Sequence, residues 1–254
     1  MARQRRHAPA RRRRGRFRLL YKLLSILMVT AAVAVACVVF FRVNTIEVVG
    51  NVRYTAEEVI AASGIQPGDN LMVLSKSRIA SSIRTQLPYV EAVSIQRVLP
   101  DGVTIKVTER VAAASLDSAE GAWLISSQGK LLEPYTGGGQ VVEISGLTIL
   151  APYAGGMVQA AEGDESTLRY VLELLGELES QGMLSRCTAL DCTSGTYMML
   201  FYDIYRLKLP RGVDYGYYIQ LAQSALNSGS IPEGQGGLLD LTVTEGKVYF
   251  RRGE

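Results

Sequence analysis

Hydrophobic positions along this chain fall into three patterns. The first is unbroken: residues 23–41 are nineteen positions without a charge, with only Ser25 and Thr30 weakly polar. As a helix rising ~1.5 Å per residue this run reaches about 28 Å, close to the ~30 Å hydrocarbon core of a bilayer, and predicts a single membrane-spanning helix. Arg18, Lys22 and Arg42 bracket it and can snorkel to the interfaces. The second pattern alternates between periods of 2 and 3.6. Residues 43–49 are rich in β-branched side chains and end at the turn signal Gly50-Asn51. Thr55, with Glu58 three residues on, is a capping box that opens a helix. Val59, Ile60 and Ala62 give that helix its apolar side, and Gly64 stops it. Pro67-Gly68-Asp69-Asn70 predicts a loop. A second helix from about Ser77 carries Ile79, Ile83 and Leu87 on one face, and Pro88 ends it. Residues 90–98 and 103–110 predict strands around Leu99-Pro100-Asp101-Gly102, a turn in which Pro fixes φ and Gly supplies a positive φ. Val103-Thr104-Ile105-Lys106-Val107-Thr108 alternates without a break, so one sheet face is buried and one is wet. The order is β-α-α-β-β.

The third pattern, from about Val111, is less regular. Residues 122–132 predict a hairpin turning at Gln128-Gly129, and residues 141–149 an apolar strand. Leu168, Val171, Leu172, Leu175 and Leu178 make a one-sided helix, with Arg169, Glu173 and Glu177 on its wet side. Residues 197–209 predict one long strand. Asp214 caps a helix that turns Tyr218, Leu221, Ala222 and Ala225 inward and closes at Asn227 and Gly229. Residues 238–243, a Glu245-Gly246 turn and residues 247–251 predict a terminal hairpin.

Charge sharpens this division. Residues 1–22 hold nine Arg and Lys22 with no acid; removing those ten from the chain's 27 basic residues leaves 17 against 24 acidic, a formal −7. The tail cannot bury a core and is expected to be disordered. Ten positive charges on one flank of the span hold that side in the cytoplasm and send the remainder outward. An acidic body argues against nucleic acid as a partner, because phosphate binding needs a positive footprint. A cleaved signal sequence is the competing reading, and Ala34-Val35-Ala36-Cys37 resembles a lipoprotein cleavage box. The apolar run continues through Phe41, which argues for a retained anchor. Cys37 then lies in the span. Cys187 and Cys192, on opposite faces if the chain between them is extended, read as free thiols, with a disulfide clip across a turn as the alternative.

The β-α-α-β-β order directly after one span resembles the POTRA domain of the FtsQ/DivIB cell-division family. The residues that carry the resemblance are Ile46-Glu47-Val48-Val49-Gly50-Asn51, then Gly64-Ile65 with Gly68-Asp69-Asn70-Leu71. Leu87-Pro88-Tyr89-Val90 with Val93, and Arg97-Val98-Leu99-Pro100 leading to Val107-Thr108-Glu109-Arg110, extend it. Ala122-Trp123-Leu124-Ile125 before the turn is similar to the opening of the family's β domain, although Gln128 stands where the family usually has Asp. The resemblance implies an α+β chain: a basic cytoplasmic tail (1–22), a transmembrane helix (23–41), a POTRA domain (43–111) and a mixed, β-rich C-terminal domain (112–254). It implies residence in the plasma membrane at the division septum, with the C-terminus extracytoplasmic. The implied partners are FtsL-like and DivIC/FtsB-like single-span proteins, with no small-molecule substrate and no cofactor.

No catalytic constellation is legible. The single histidine, His7, lies in the basic tail, so no Ser-His or Cys-His pair forms beyond the span. No His/Cys cluster has zinc spacing. Ser127-Gln128-Gly129-Lys130 fits the Ser-x-x-Lys of penicillin-recognising enzymes, but the Gly marks a hairpin turn and Lys-Thr-Gly is missing. The terminal hairpin is the candidate site. A last strand with nothing beyond it offers unpaired N–H and C=O groups to an incoming strand, and Arg251 and Arg252 are the usual means of blunting such an edge. The resemblance favours partner binding there and carries over to Leu241, Val243, Gly246, Lys247, Val248, Tyr249 and Phe250. A second reading is a polypeptide-transport adaptor, since POTRA modules also guide substrates into outer-membrane barrels; a third is a cell-wall enzyme built on Ser127.

Overall fold

The computed structural model describes residues 15–229, 231 and 234–253; the basic tail up to residue 14 lies outside them. The first element, α1 (Gly15–Phe40), is one continuous helix. It takes in Gly15–Lys22, where disorder was expected, because Arg, Leu and Lys are good helix formers and propagation from an existing helix is cheap. Its window Leu20–Cys37 has a mean hydropathy of 2.1 and none of it is buried. Among the described residues it is the one helix long and apolar enough to cross a membrane. The Thr30 hydroxyl donates to the carbonyls of Ile26 and Leu27, so it presents no unsatisfied donor along the apolar surface.

The first folded module comes directly after it. Strand β1 (Thr45–Val49), helices α2 (Ala56–Ser63) and α3 (Lys76–Gln86), and strands β2 (Val90–Val98) and β3 (Gly102–Glu109) make a three-stranded sheet of order β1-β3-β2. β1 runs parallel to β3, and β2 antiparallel to it. The capping box forms as the sequence predicts: Thr55 Oγ1 accepts from the Glu58 N–H and the Glu58 carboxylate from the Thr55 N–H. Gly64 ends α2 in the left-handed region at φ 70°. Val103, Ile105 and Val107 turn inward onto Val59, Ile79, Ile83 and Leu71, while Lys106 and Thr108 face out. Gly102 departs from expectation. It does not have a positive φ; it opens β3, where an added Cβ would meet Thr45 Oγ1, Val98 Cβ and Val98 O at 3.2 Å each. Close approach of three strands, not a turn conformation, favours glycine there.

The second module is a nine-stranded sheet. In chain order it contains β4 (Ala114–Ser118), β5 (Gly121–Ile125), β6 (Leu131–Pro134), β7 (Val142–Ile149), α4 (Glu165–Ser180), β8 (Cys187–Asp191) and β9 (Tyr197–Tyr202). It continues with β10 (Tyr205–Pro210), α5 (Tyr215–Asn227), β11 (Gly237–Asp240) and β12 (Tyr249–Arg252). The strand order is β12-β11-β10-β9-β8-β7-β4-β5-β6. The pairs β7–β8 and β10–β11 are parallel, bridged by α4 and α5. The two helices pack side by side, and Val171, Leu175, Leu178, Ile219 and Ala222 share a core with Leu190, Leu200, Leu207 and Leu239. Leu174 takes the fully buried place expected of Leu172, which is only half-buried. The single long strand expected over 197–209 is two strands: the chain reverses at Asp203-Ile204, with Asp203 left-handed at φ 48°. Asp tolerates that conformation without help from Gly or Pro, so the turn carries no obvious signal. The architecture is α+β throughout, as the sequence predicts.

Candidate functional site

At one end of the large sheet, β12 pairs with β11 and, among the described residues, with no other strand. The register sets Leu238 opposite Arg251, Leu239 opposite Phe250 and Asp240 opposite Tyr249. Just beyond the ladder the Gly253 N–H donates to the Gly236 carbonyl at 3.1 Å. Hydrogen-bonded pairs alternate along an antiparallel ladder, so Arg251 and Tyr249 bond inward to β11. The N–H and C=O groups of Phe250 and Arg252 therefore point away from the sheet, along its free margin.

Side chains give this margin two different faces. On the helix side, Val248 and Phe250 join Leu221, Ala225 and Ile231, with Ser224 and Ser228, around a slot of about 300 Å³ between α5 and the edge strand. Leu221 and Ala225 pack against the core as expected and, half-buried, also line this slot. On the other side, Tyr249 is exposed and its hydroxyl lies 3.2 Å from Thr244 Oγ1. Arg251 is exposed on the same face, whereas the exposed Arg252 shares the face of Phe250.

The connection from β11 to β12 is held by Asp240. Its Oδ1 accepts from the Thr242 N–H at 3.0 Å and hydroxyl at 2.6 Å, and Oδ2 lies 3.5 Å from Lys208 Nζ. Burial pushes the Asp240 carboxyl up, but the Thr242 hydrogen bonds and the Lys208 ammonium together hold it below the usual carboxylate range. Of the residues that the sequence singles out here, Leu241 is buried, and its N–H extends the β10 pairing by donating to the Lys208 carbonyl at 3.0 Å. Its side chain packs in the core. Val243 is exposed in the turn, Gly246 is left-handed at φ 75°, and the Lys247 N–H closes the turn onto the Thr244 carbonyl. Val248, Tyr249 and Phe250 are brought together on the edge; the α5 side of the slot is the part that the linear sequence did not disclose.

Other chemistry-bearing residues are occupied structurally. Ser127 is buried in the β5–β6 turn, not at a helix start, and its hydroxyl donates to the Glu179 carboxylate. Lys130 Nζ donates to the Arg84 carbonyl at 3.3 Å, across to the first module. Cys187 and Cys192 are free thiols and both lie in the core, because a bulge after Cys187 shifts the alternation of β8. Burial pushes each thiol up to about 12, which suppresses the reactive thiolate. Among the described residues no group of three or more His, Cys, Asp or Glu could hold a metal ion.

Residues 41–110 match the POTRA domain, FtsQ-type. The chain is 30% identical over 140 residues to a cell division protein FtsQ of Corynebacterium glutamicum, covering 55% of this chain and 57% of that one. It is 30% identical over 112 residues to a cell division protein DivIB of Clostridium acetobutylicum, covering 43% and 45%. A cell division protein FtsQ of Syntrophotalea carbinolica is 26% identical over 205 residues, covering 70% of this chain and 69% of its own length. The chain thus spans about half the length of the first two relatives.

Proposed function

Because this chain is of the FtsQ/DivIB cell-division family and carries that family's POTRA domain, we propose that it is a non-catalytic, single-pass scaffold of the division septum. The basic tail sits in the cytoplasm, α1 anchors the chain in the plasma membrane, and both folded modules project outward. Confinement to two dimensions raises its effective concentration for partners held in the same bilayer. Those partners are FtsL-like and DivIC/FtsB-like single-span proteins, and one of them adds a strand to β12.

The observation that carries this reading is the free margin of β12, where the Phe250 and Arg252 backbone groups point outward beside a mainly apolar slot that also carries two serines. Strand addition draws affinity from such groups and specificity from pockets that take alternate side chains. The edge is short and flanked by arginines, which protects it from indiscriminate pairing while leaving it open to an acidic or strand-matched segment. A transport adaptor is disfavoured: the large sheet contains the parallel pairs β4–β7, β7–β8 and β10–β11, whereas outer-membrane barrels are closed antiparallel rings.

The test separates pairing from folding. Arg252→Pro removes an outward N–H, which an edge strand tolerates, whereas Arg251→Pro removes an inward bond to β11. Pull-down from solubilised membranes is expected to lose the FtsL/DivIC-type partners with Arg252→Pro while the thermal transition stays in place. Undiminished capture by a folded Arg252→Pro chain refutes strand addition at β12. Midcell localisation of the full chain, against an even envelope distribution, tests the septal assignment independently.

A further inference from the structure

The chain passes from α1 into the first module without a linker. Phe41, one residue past the helix, packs against the module's core, and Val43 is fully buried in it. Residues 41–43 are clamped from the other side by the loop between α2 and α3. The Leu71 N–H donates to the Phe41 carbonyl, the Val43 N–H to the Asp69 carbonyl and the Gly68 N–H to the Val43 carbonyl, each at 2.8 Å. Arg42 and Asn70 form an antiparallel bridge. Segment 68–71 is therefore a short ribbon laid against the exit of α1.

That ribbon fixes the height of the turn at its far end, which is tight. The Val73 N–H donates to the Asn70 carbonyl at 3.1 Å and the Met72 N–H to Asn70 Oδ1 at 2.9 Å. With paired backbones ~4.8 Å apart and successive residues ~3.8 Å apart, Met72 and Val73 both lie within about 13 Å of the Phe41 backbone. Their side chains are 53% and 80% exposed, beside a helix end at which Phe40 is 69% exposed. Around them stand Arg42, Lys76 and Arg78, all exposed, and Arg97, whose Nη2 donates to the Leu74 carbonyl at 2.7 Å. An apolar tip collared by Lys and Arg, held at the level where a membrane span ends, has the composition of an interfacial lipid contact.

We propose that the Met72-Val73 turn inserts into the headgroup–acyl boundary of the leaflet from which α1 emerges. The module then rests on the bilayer at two points, the α1 exit and this turn, so its tilt relative to the membrane is fixed rather than free. The occupant is lipid because the turn is continuous with the span. This inference rests on α1 being a membrane span.

The experiment reads depth directly. The full chain, with its one tryptophan replaced (Trp123→Phe), is reconstituted into vesicles of phosphatidylglycerol and brominated phosphatidylcholine, with tryptophan introduced at one site at a time. Val33→Trp reports the span and Val73→Trp the turn. Val52→Trp reports an even more exposed apolar position (91% exposed) beyond the far end of β1. Quenching at position 73 several-fold stronger than at 52 is the expected result. Quenching at 33 with position 73 no stronger than 52 overturns the lipid contact and leaves the anchor standing. Blue-shifted, unquenched emission at 73 means a protein surface covers the turn and overturns it equally. No quenching at 33 overturns both readings.

Discussion

Arg53, in the loop leading into α2, places Nη2 2.8 Å from both carboxylate oxygens of Glu133 on β6. This contact joins the two folded modules, and neighbours on both sides tune it. The Tyr89 hydroxyl donates to Glu133 Oε1 at 2.7 Å, and the Arg53 guanidinium lies 4.0 Å over the Tyr89 ring. Burial and the Glu133 hydrogen bond push the Tyr89 phenol well above its ordinary range, so it remains a donor at any physiological pH. The Arg53 backbone is itself fixed, because the Glu109 carboxylate accepts from the N–H groups of Val52, Arg53 and Tyr54.

The first prediction rests on exposure. The Arg53 and Glu133 side chains are 49% and 39% exposed, so water screens the pair and its worth to global stability is about 0–1 kcal/mol. Arg53→Ala is expected to move the thermal transition little but to loosen the joint. Distance distributions between spin labels on α3 and α4 should broaden; an unchanged distribution means the modules are held by other contacts.

A second prediction contrasts two glycines that share a left-handed backbone. At Gly50 (φ 84°) an added Cβ would stand 2.3 Å from the Val107 carbonyl oxygen, whereas at Gly64 (φ 70°) it meets nothing within 4 Å. Gly64→Ala therefore carries only the conformational penalty, about 1–2 kcal/mol. Gly50→Ala adds a backbone clash that β1 and β3 relieve only by separating, and should cost roughly 3 kcal/mol or more. Chemical denaturation of the two variants checks the order; equal losses would remove the steric account.

The third prediction is a pH dependence at Asp240. Its folded-state pKa is depressed, so the stability it contributes is present above the unfolded carboxylate value of ~3.9 and is lost as pH falls through the still lower folded value. Asp240→Asn keeps the shape and an acceptor for Thr242 but removes the charge facing Lys208, for a loss of about 1 kcal/mol at neutral pH. Melting curves of the two chains should differ at pH 7, begin to approach each other below about pH 4 and meet only below the depressed folded-state value. A gap that persists at low pH would mean that charge is not the cause.

How far the sequence disclosed this fold depends on the range of the forces involved. Local chemistry was legible: Thr55 and Glu58 announce the start of α2, Gly64 its end, and the alternation through Val103–Val107 the inward face of β3. The features that stayed hidden are set by partners distant in the chain. Asp203 reverses β9 into β10 with no Gly or Pro to mark it, and the bulge after Cys187 turns two cysteines expected on opposite faces toward one core. Gly102 was legible as a special position but for the wrong reason, because the crowding comes from Val98 on β2 and from Thr45 on β1, fifty-seven residues away, rather than from a turn conformation. At the candidate site, the terminal hairpin was readable as a strand pair. The slot was not, since it exists only once α5 crosses from β10 to β11 and sets Leu221 and Ala225 against Val248 and Phe250.

That slot yields the last prediction. If a partner strand extends the sheet at β12, every second side chain on its helix-facing side comes down next to Phe250 and Val248, where Leu221 and Ala225 form the opposite wall. Ala225 is half-buried near the end of α5, where the core borders the slot, so a longer side chain there extends into the slot. Ala225→Glu changes helix propensity by only a few tenths of a kcal/mol but sets a carboxylate where the partner would bury an apolar group. Gln220→Glu, on an exposed position of the same helix, introduces the same charge away from the slot. Partner capture is expected to weaken by about tenfold or more with Ala225→Glu, the effect of ~1.4 kcal/mol, and to be untouched by Gln220→Glu. Equal capture by both folded variants would mean that the partner, wherever it docks, does not lay its side chains between α5 and the edge strand.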